Sequence, residues 1–378
     1  MRPPALEFTS ALYLGLRHES WTLEPWPQLT TGMPAALDEP PGTRELAAQV
    51  AALQGCESAT LGPSTLHLFW DLFGILASER LAIYLDEGAY SIMRWGAERA
   101  AARAVRVQTF RHHDPEGLRW HLQRDVLRRL RPVVGTDGFC PDCGEPAPIA
   151  AYLEATRAFG GFLVLDDTQA LGILGESPRH HAPYGKSGGG SLRFANLSGP
   201  DVVLVSSLAK AFGVPVAVLS GSRATVQRFE SRSETRVHCS PPSVAVIHAV
   251  QHALAVNQER GDALRLHLAT LVQRFRGRLG SIGISAKGGF FPVQTLAPLN
   301  GVDAAALYGR LLRLGVRTVL RRAAGSAGAK ISFAITARHA PEEIERAVDV
   351  LAAIVERGLG LPLTSGPATR TTDTAAVL

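Results

Sequence analysis

Lysine is scarce in this chain of 378 residues. Only four of its 39 basic residues are lysine (Lys186, Lys210, Lys287 and Lys330), and the others are arginine. Codon bias in a G/C-rich genome is enough to explain this ratio. The scarcity still has a use, because a Schiff base requires a primary amine and only four side chains offer one.

Cysteine, long apolar runs and an export signal are also scarce or missing. The chain has four cysteines, and its N-terminus lacks a basic segment followed by an apolar one. It contains no apolar run of the roughly 18 residues that a membrane span requires. We therefore expect a cytoplasmic protein with free thiols and no membrane span. The net charge of +5 is mild and the arginines are scattered among acids, so nucleic acid is not an expected partner.

What is present is the composition of a globular protein, with 46% hydrophobic and 19% charged residues. Between residues 43 and 220, helical stretches alternate with short apolar runs such as LAIYLD and GFLVLD. This alternation predicts an α/β fold whose mostly parallel sheet is covered on both faces, with ligands at the carboxyl ends of the strands. The predicted divisions are an N-terminal segment (1–40), a large domain (41–285), a small α+β C-terminal domain (286–360) and a disordered tail (361–378).

Two segments at predicted strand ends carry the chemistry. The strand FLVL ends in Asp166 and Asp167, and alternation places these side chains on opposite sides. The strand DVVLV leads into Ser206, Ser207 and then Lys210 among apolar residues. Burying an ammonium is costly unless it is paired or modified, and a desolvated lysine is a good Schiff-base nucleophile. Taken separately, a turn-capping aspartate and a solvated loop lysine would explain the same residues, but the combination is specific.

Together the two segments resemble the α-oxoamine synthases, a family of fold type I pyridoxal phosphate (PLP) enzymes. Residues 166–172 (Asp-Asp-Thr-Gln-Ala-Leu-Gly) are similar to the family's Asp-Asp/Glu-Ala-His-x-x-Gly. Residues 207–213 (Ser-Leu-Ala-Lys-Ala-Phe-Gly) are similar to its Thr-Leu-Ser-Lys-Ala-Phe-Gly. Weaker similarities extend the resemblance over roughly residues 11–356. The resemblance implies a fold type I PLP-dependent transferase that acts as a homodimer.

The resemblance also implies roles for the matching residues. Lys210 forms the Schiff base with the cofactor, and Asp166 pairs with the pyridine nitrogen and keeps it protonated. Gln169 stands where the family has a histidine and faces the phenolic oxygen, and Ser207 matches the phosphate-binding threonine. A further phosphate contact is implied for the segment Ser64, Thr65 and Leu66, which falls where the family opens a helix. Plain N-capping is the alternative for the first two residues of that segment.

Two positions depart from the family pattern. Ala89 lies in the place of the histidine that stacks on the cofactor ring, so Tyr90 either takes over the stacking or is a core residue. Ser332 lies in the place of the arginine that binds the substrate carboxylate. The sequence does not distinguish three candidates for the replacement cation, which are Lys330, Arg338 and Arg321.

The reaction implied by the resemblance joins an amino acid to an acyl thioester of coenzyme A or of a carrier protein, with loss of carbon dioxide. An aminotransferase on the same scaffold is the alternative, and Gln169 and the absent arginine favour it. A third hypothesis is a non-catalytic regulator with this fold. Such a regulator would need an added DNA-binding domain, and about 40 residues before the first core helix are too few for one.

The remaining motifs give weaker signals. Cys140 and Cys143 form a CxxC pair, but Cys56 and Cys239 are isolated, so a four-cysteine zinc site is not indicated. Two free thiols are the expected state of the CxxC pair. The histidines at 112–113 are expected to be solvated, and we predict no metal site.

Overall fold

The computed structural model describes residues 5–299, 301–322 and 328–356, and its contacts separate two units. The larger unit comprises Leu14–Cys140 and Pro146–Arg265. The smaller unit comprises the residues up to Tyr13, Pro141–Glu145 and the residues from Leu266 onward. The boundaries expected near residues 40, 285 and 360 stay a prediction, and the predicted tail (361–378) lies outside the described residues.

The strands are short, and those of the larger unit are rich in valine, leucine and isoleucine. In chain order they are β1 (Leu6–Glu7), β2 (Ser58–Gly62), β3 (Leu81–Asp86), β4 (Arg106–Phe110), β5 (Arg131–Asp137), β6 (Phe139–Cys140), β7 (Glu145–Pro146), β8 (Phe162–Asp166), β9 (Val202–Ser207), β10 (Ala217–Gly221), β11 (Ala286–Lys287), β12 (Val293–Leu296), β13 (Val316–Arg317), β14 (Val319–Arg322) and β15 (Ala329–Ala334).

Helices alternate with strands between residues 43 and 220, as the sequence pattern predicts, and a long helix begins at Val244. In chain order they are α1 (Thr43–Gln54), α2 (Thr65–Leu76), α3 (Ser91–Ala101), α4 (Pro115–Asp125), α5 (Ile149–Arg157), α6 (Ser191–Phe194), α7 (Arg223–Arg232), α8 (Glu234–His238), α9 (Val244–Ser281), α10 (Ala304–Arg313) and α11 (Pro341–Glu356). Among the described residues, no helix is both long and apolar enough to cross a membrane.

The larger unit is built on a seven-stranded sheet with the order β2-β10-β9-β8-β5-β3-β4. Five neighbouring strands, β9, β8, β5, β3 and β4, are parallel to one another. Strand β10 runs antiparallel to both of its neighbours, so β2 points in the same direction as the parallel set. The predicted mostly parallel sheet is confirmed. The sequence pattern did not predict β2 at the edge of the sheet or β10 next to it.

Helices cover both faces of this sheet, as the continuous apolar strands predict. Alternate side chains of β3 show the division, because Ile83 packs with α2 and α3 while Tyr84 packs with α4 and α5. Gly96 lets α2 and α3 approach closely, since a Cβ there would lie 2.6 Å from the Phe73 side chain. The packing fixes the strand ends against rigid helices, which is what a positioned site requires.

The smaller unit contains an antiparallel sheet with the order β11-β12-β15-β14 and a short parallel pair, β1 and β13. Its core includes an aromatic group, with the Phe333 ring centroid 5.4 Å from that of Phe8 and 5.0 Å from that of Phe275. Helices α10 and α11 complete it. This arrangement is the α+β character expected for the C-terminal part of the chain.

Candidate active site

The polar side chains of the larger unit gather where its parallel strands end. Strands β3, β5 and β8 end in aspartates, at Asp86, Asp137 and Asp166. The register pairs Asp137 directly with Asp166. Strand β9 ends at Ser207, three residues before Lys210. Ligands bind at this carboxyl edge in open α/β sheets, so the edge is the candidate active site.

Asp166 is buried, with 5% of its surface exposed. Its carboxylate accepts a hydrogen bond from the backbone N–H of Thr168 at 3.0 Å. Burial raises the pKa of Asp166, and the hydrogen bonds from Thr168 and the charge of Lys210 oppose this rise. A buried carboxylate of this kind gains most from a cation placed beside it, because the cation offsets the cost of desolvation.

Thr168 connects the aspartate segment to the lysine segment. Its hydroxyl oxygen accepts the backbone N–H of Ser207 at 3.0 Å, and its hydroxyl also hydrogen-bonds to Asp166. The Ser207 hydroxyl in turn accepts the backbone N–H of Ala209 at 3.2 Å. Sequence reasoning missed Thr168, although it stands directly between two residues that the family pattern selects. Gln169 follows it and is half-buried, and its contact with the cofactor stays a prediction.

The turn that carries Lys210 is closed by its own backbone. The Leu208 N–H donates to the Val216 carbonyl at 2.8 Å, and the Val214 N–H donates to the Leu208 carbonyl at 3.1 Å. Gly172 packs against this turn with a φ of +86°, and a Cβ there would lie 2.5 Å from the Cβ of Ala211. The glycine that ends the aspartate segment is therefore required for the two segments to pack together.

Asp167 lies on the other side of its strand from Asp166, as the alternation predicts. It is fully buried and accepts the backbone N–H of Ser191 at 3.2 Å, and it also accepts the Ser191 hydroxyl. Burial raises the pKa of Asp167 to about 7. Asp167 therefore holds the first residue of α6 in place by hydrogen bonds and does not face the candidate site.

Ala89 and Tyr90 lie at the first departure from the family pattern, the position of the histidine that stacks on the cofactor ring. Ala89 is buried in the core beneath α2 and α3, whereas Tyr90 is 42% exposed. The backbone N–H of Tyr90 donates to Asp137 Oδ1 at 2.9 Å. Burial and the charges of Asp166 and Asp137 raise the pKa of the Tyr90 phenol. Tyr90 is therefore not a core residue, and its stacking on a cofactor ring stays a prediction.

Asp137 is a site residue that sequence reasoning missed. Its burial and the charge of Asp166 raise its pKa well above the usual range. Asp137 ends strand β5 as Asp166 ends strand β8, but the pairing of the two residues follows from the strand register, which the sequence does not show. Two carboxylates at neighbouring strand ends cannot both ionise cheaply without a cation between or beside them.

The N-terminus of α2 lies at the same edge of the sheet. Strand β2 runs in the same direction as β9, and it ends just before α2 begins. Ser64 is the N-cap residue, with extended backbone (φ −160°, ψ 163°), and its hydroxyl pairs with His67 Nδ1 at 2.8 Å rather than capping a backbone N–H. The first N–H groups of α2, from Thr65 and Leu66 onward, have no partner within the helix. Such groups and the helix dipole favour a phosphate.

The second departure lies in the smaller unit. Ser332 is 2% exposed and its hydroxyl shares a hydrogen bond of 2.8 Å with Thr295, so the position of the family's arginine is a buried serine. Among the candidate cations, Arg321 is half-buried and forms an ion pair with Asp142. Lys330 and Arg338 are exposed.

The residues at the carboxyl edge of the larger unit fit PLP. A lysine amine, a buried carboxylate that needs a cation, a helix N-terminus suited to phosphate and an aromatic ring all lie at that edge. The family model described as aminotransferase class I and II matches residues 37–351, so the chain belongs to that family.

The similar curated proteins have a more specific activity than the family model describes. The chain is 29% identical to the 8-amino-7-oxononanoate synthase of Halorhodospira halophila over 321 residues, which is 83% of this chain and 75% of the relative. It is 30% identical to that of Thioalkalivibrio sulfidiphilus over 250 residues, 65% of this chain and 61% of the relative. With the second relative, therefore, the match spans less than two thirds of its length.

Solved structures show the same fold. The serine palmitoyltransferase of Sphingomonas wittichii matches with a TM-score of 0.79 at 18% identity, covering 93% of this chain and 87% of that one. The 8-amino-7-oxononanoate synthase of Francisella tularensis matches with a TM-score of 0.71 at 16% identity, covering 93% and 98%. The expected α-oxoamine synthase resemblance, the fold type I architecture and the assignment as a PLP-dependent transferase are confirmed.

Proposed function

We propose that this chain is an acyltransferase that condenses an amino acid with an acyl thioester and releases carbon dioxide. The observation that carries the proposal is the chain of hydrogen bonds from Ser207 through Thr168 to the buried Asp166. The charge of Lys210 also acts to lower the pKa of the Asp166 carboxyl group. The relatives make a product with an amine and a ketone on adjacent carbons, as their name states. Joining the Cα of an amino acid to an acyl carbonyl produces that arrangement.

Bound PLP supplies an electron sink for the bond broken at the substrate Cα. A carboxylate of this chain supplies the negative charge that keeps the pyridine nitrogen protonated, and this proton makes the ring an effective electron sink. Asp166 holds the proton on the pyridine nitrogen, and an opposite charge at contact shifts a pKa by about 1–3 units, or roughly 1.4–4 kcal/mol. Thr168 fixes the carboxylate that performs this task.

Lys210 has two tasks in the proposal. Its amine would hold the cofactor covalently, and Lys210 Nζ, when free of the cofactor, would take the proton from the substrate Cα as a general base. Its half-buried position in a turn closed by backbone hydrogen bonds keeps the amine in reach for both tasks.

Four groups orient the cofactor in the proposal. The Ser207 hydroxyl and the first N–H groups of α2, from Thr65 and Leu66 beside Ser64, hold the phosphate. The Tyr90 ring covers the pyridine ring, and Gln169 donates to the phenolic oxygen.

We also propose a cytoplasmic homodimer as the active form. Apolar side chains on α2 and α3 support it, because Leu66, Trp70 and Trp95 are 39%, 42% and 49% exposed. Large exposed apolar side chains near a functional edge are typical of protein interfaces.

The test is release of free thiol from an acyl-coenzyme A that depends on an added amino acid and is matched by carbon dioxide. Lys210→Ala should abolish the release, whereas Lys287→Ala, at an exposed lysine of the smaller unit, should leave it unchanged. A failure of every amino acid and thioester pair to release thiol would overturn the acyltransferase proposal.

An aminotransferase is the second candidate, and the buried Ser332 favours it because the family's carboxylate-binding arginine is absent there. Incubation with an amino acid alone distinguishes the two. Stoichiometric 2-oxo acid, with conversion of the cofactor to its amine form, would identify an aminotransferase.

A further inference from the structure

A second polar group lies in the larger unit and has no task in the proposed reaction. It consists of Asp86 at the end of β3, His112 in the loop after β4, and Cys140 at the end of β6. The sequence pattern predicted a solvated histidine and an ordinary free thiol at these positions. The structure corrects the first prediction, because the side chain of His112 is 30% exposed and is ion-paired.

Asp86 is an ionised carboxylate fixed from several sides. It is fully buried and lies 2.6 Å from His112 Nδ1, and it accepts the backbone N–H groups of Gly88 at 2.6 Å and His113 at 3.1 Å. Burial alone would raise the pKa of Asp86, but these hydrogen bonds lower it. Its remaining contacts, both at 3.3 Å, are with the hydroxyl groups of Thr136 and Tyr152.

His112 joins this carboxylate to a thiol. The ring hydrogen-bonds to Asp86 and to Cys140, and these contacts raise the pKa of His112 to about 10. Cys140 is 6% exposed, and its sulfur lies within 4.8 Å of a His112 ring nitrogen. A histidine held as the imidazolium by a carboxylate stabilises a neighbouring thiolate.

Cys56 provides the contrast within the same unit. It is a half-buried thiol without such a histidine, and burial together with the charge of Asp167 raises its pKa to about 12. The two thiols share a fold unit but differ in the charge beside them, so they should differ in reactivity.

We propose that Cys140 is a reactive thiolate and the site at which a hydroperoxide oxidises this protein. The sulfur attacks the terminal peroxide oxygen, an S–O bond forms and the O–O bond breaks. His112 gives its proton to the departing oxygen, which leaves as water or an alcohol. The sulfur is oxidised by two electrons to a sulfenic acid and the peroxide is reduced.

The position of Cys140 connects its oxidation to the cofactor edge. Its charge acts on Asp137, which accepts the N–H of Tyr90. Loss of the thiolate charge on oxidation therefore changes the electrostatics next to the residue that we place over the cofactor ring. Within the larger unit, His113 and Asp137 are titratable groups that also face the pair, besides Asp86.

The experiment measures alkylation of each thiol by iodoacetamide in the PLP-loaded protein, by mass spectrometry. Serine replaces Cys143 and Cys239 so that Cys140 and Cys56 are compared directly. Cys140 should react at a rate that is constant between about pH 6 and pH 8, because a thiolate is already formed, and at least about 100-fold faster than Cys56.

His112→Asn keeps a donor for Asp86 and removes the imidazolium. In this variant the Cys140 rate should fall about tenfold near pH 6 and should rise with pH like that of an ordinary thiol. His180→Asn is the matched control, because His180 is an exposed histidine of the same unit, and it should behave like the parent.

Exposure to hydrogen peroxide followed by dimedone should label Cys140 and not Cys56. A Cys140 rate that rises about tenfold per pH unit in the parent protein, or equal labelling of both thiols, would overturn the proposal. So would one equivalent of tightly bound zinc whose removal is needed before Cys140 reacts, since the group would then be a metal site. These readouts follow the thiol and not the acyl transfer, so they are independent of the proposed function.

Discussion

Asp166 and Asp167 are neighbours in the chain, yet their environments separate their chemistry. Asp166 lies beside Lys210, whereas Asp167 is enclosed by Ser191. In the folded protein the pKa of Asp167 is raised from 3.8 to about 7, so the folded state binds this proton more tightly than the unfolded state does. The free energy of unfolding should therefore fall as pH rises from about 4 to about 7, and level off above that.

Asp167→Asn removes this titration while keeping an oxygen that can accept from Ser191. Between about pH 5 and pH 8 the variant should gain about 2–3 kcal/mol in free energy of unfolding relative to the parent, measured by urea denaturation at both pH values. The other groups titrate alike in both proteins, so their contribution cancels when the free energy of unfolding of the parent is subtracted from that of the variant. An equal difference at both pH values would show that Asp167 is ionised in the folded state throughout.

Thr168 is the second prediction at the residue scale. Thr168→Ala removes the hydroxyl that connects Ser207 to Asp166, and a neutral hydrogen bond contributes about 1 kcal/mol. The dissociation constant for PLP should rise about fivefold, measured by titrating the cofactor-free protein. Thr168→Ser retains the hydroxyl and should bind PLP within about twofold of the parent. Equal affinity in both variants would show that this hydroxyl does not support the cofactor.

At the scale of the element, helix α2 offers backbone N–H groups rather than a side chain. Thr65 is its first residue, a position where proline is tolerated, and the extended backbone of Ser64 suits the residue before a proline. Thr65→Pro therefore removes one N–H donor without breaking the helix.

Thr65→Ala is the matched control, because it removes the same hydroxyl but keeps the N–H. The dissociation constant for PLP should be about tenfold higher for the proline variant than for the alanine variant, with the melting temperature of the two PLP-free proteins alike. Equal affinity for PLP would place the phosphate away from this N-terminus.

The elements also show what the sequence could and could not predict. Strands β8 and β9 begin as apolar runs that lead into the two motif segments, so their positions follow from pattern, whereas the site near Lys210 is implied by the family resemblance. Strand β10 was missed because it follows a Pro-containing turn and pairs antiparallel between β2 and β9, which periodicity does not reveal. Asp137 and Thr168 were missed because their roles arise from register and hydrogen bonding across strands.

At the scale of the whole molecule, the domain boundaries expected near residues 40, 285 and 360 stay a prediction, and two features of the structure leave no signal in the composition. Helix α9 runs without interruption across Leu266, and β1 near the N-terminus pairs with β13 about 300 residues later. Neither feature leaves a glycine-rich or proline-rich linker as a signal. The oligomeric state has a clearer signal in the exposed tryptophans of the larger unit.

Trp95 on α3 and Trp120 on α4 are 49% and 55% exposed, but they lie on helices that cover opposite faces of the sheet. If α2 and α3 form the dimer interface, a charge at Trp95 must be desolvated on association, which costs several kcal/mol. Trp95→Glu should therefore sediment as a monomer at micromolar concentration, while Trp120→Glu should sediment as the parent does. Because both variants add the same charge at an exposed tryptophan, a general loss of folding would affect both. A dimer that persists in Trp95→Glu would place the interface on another surface.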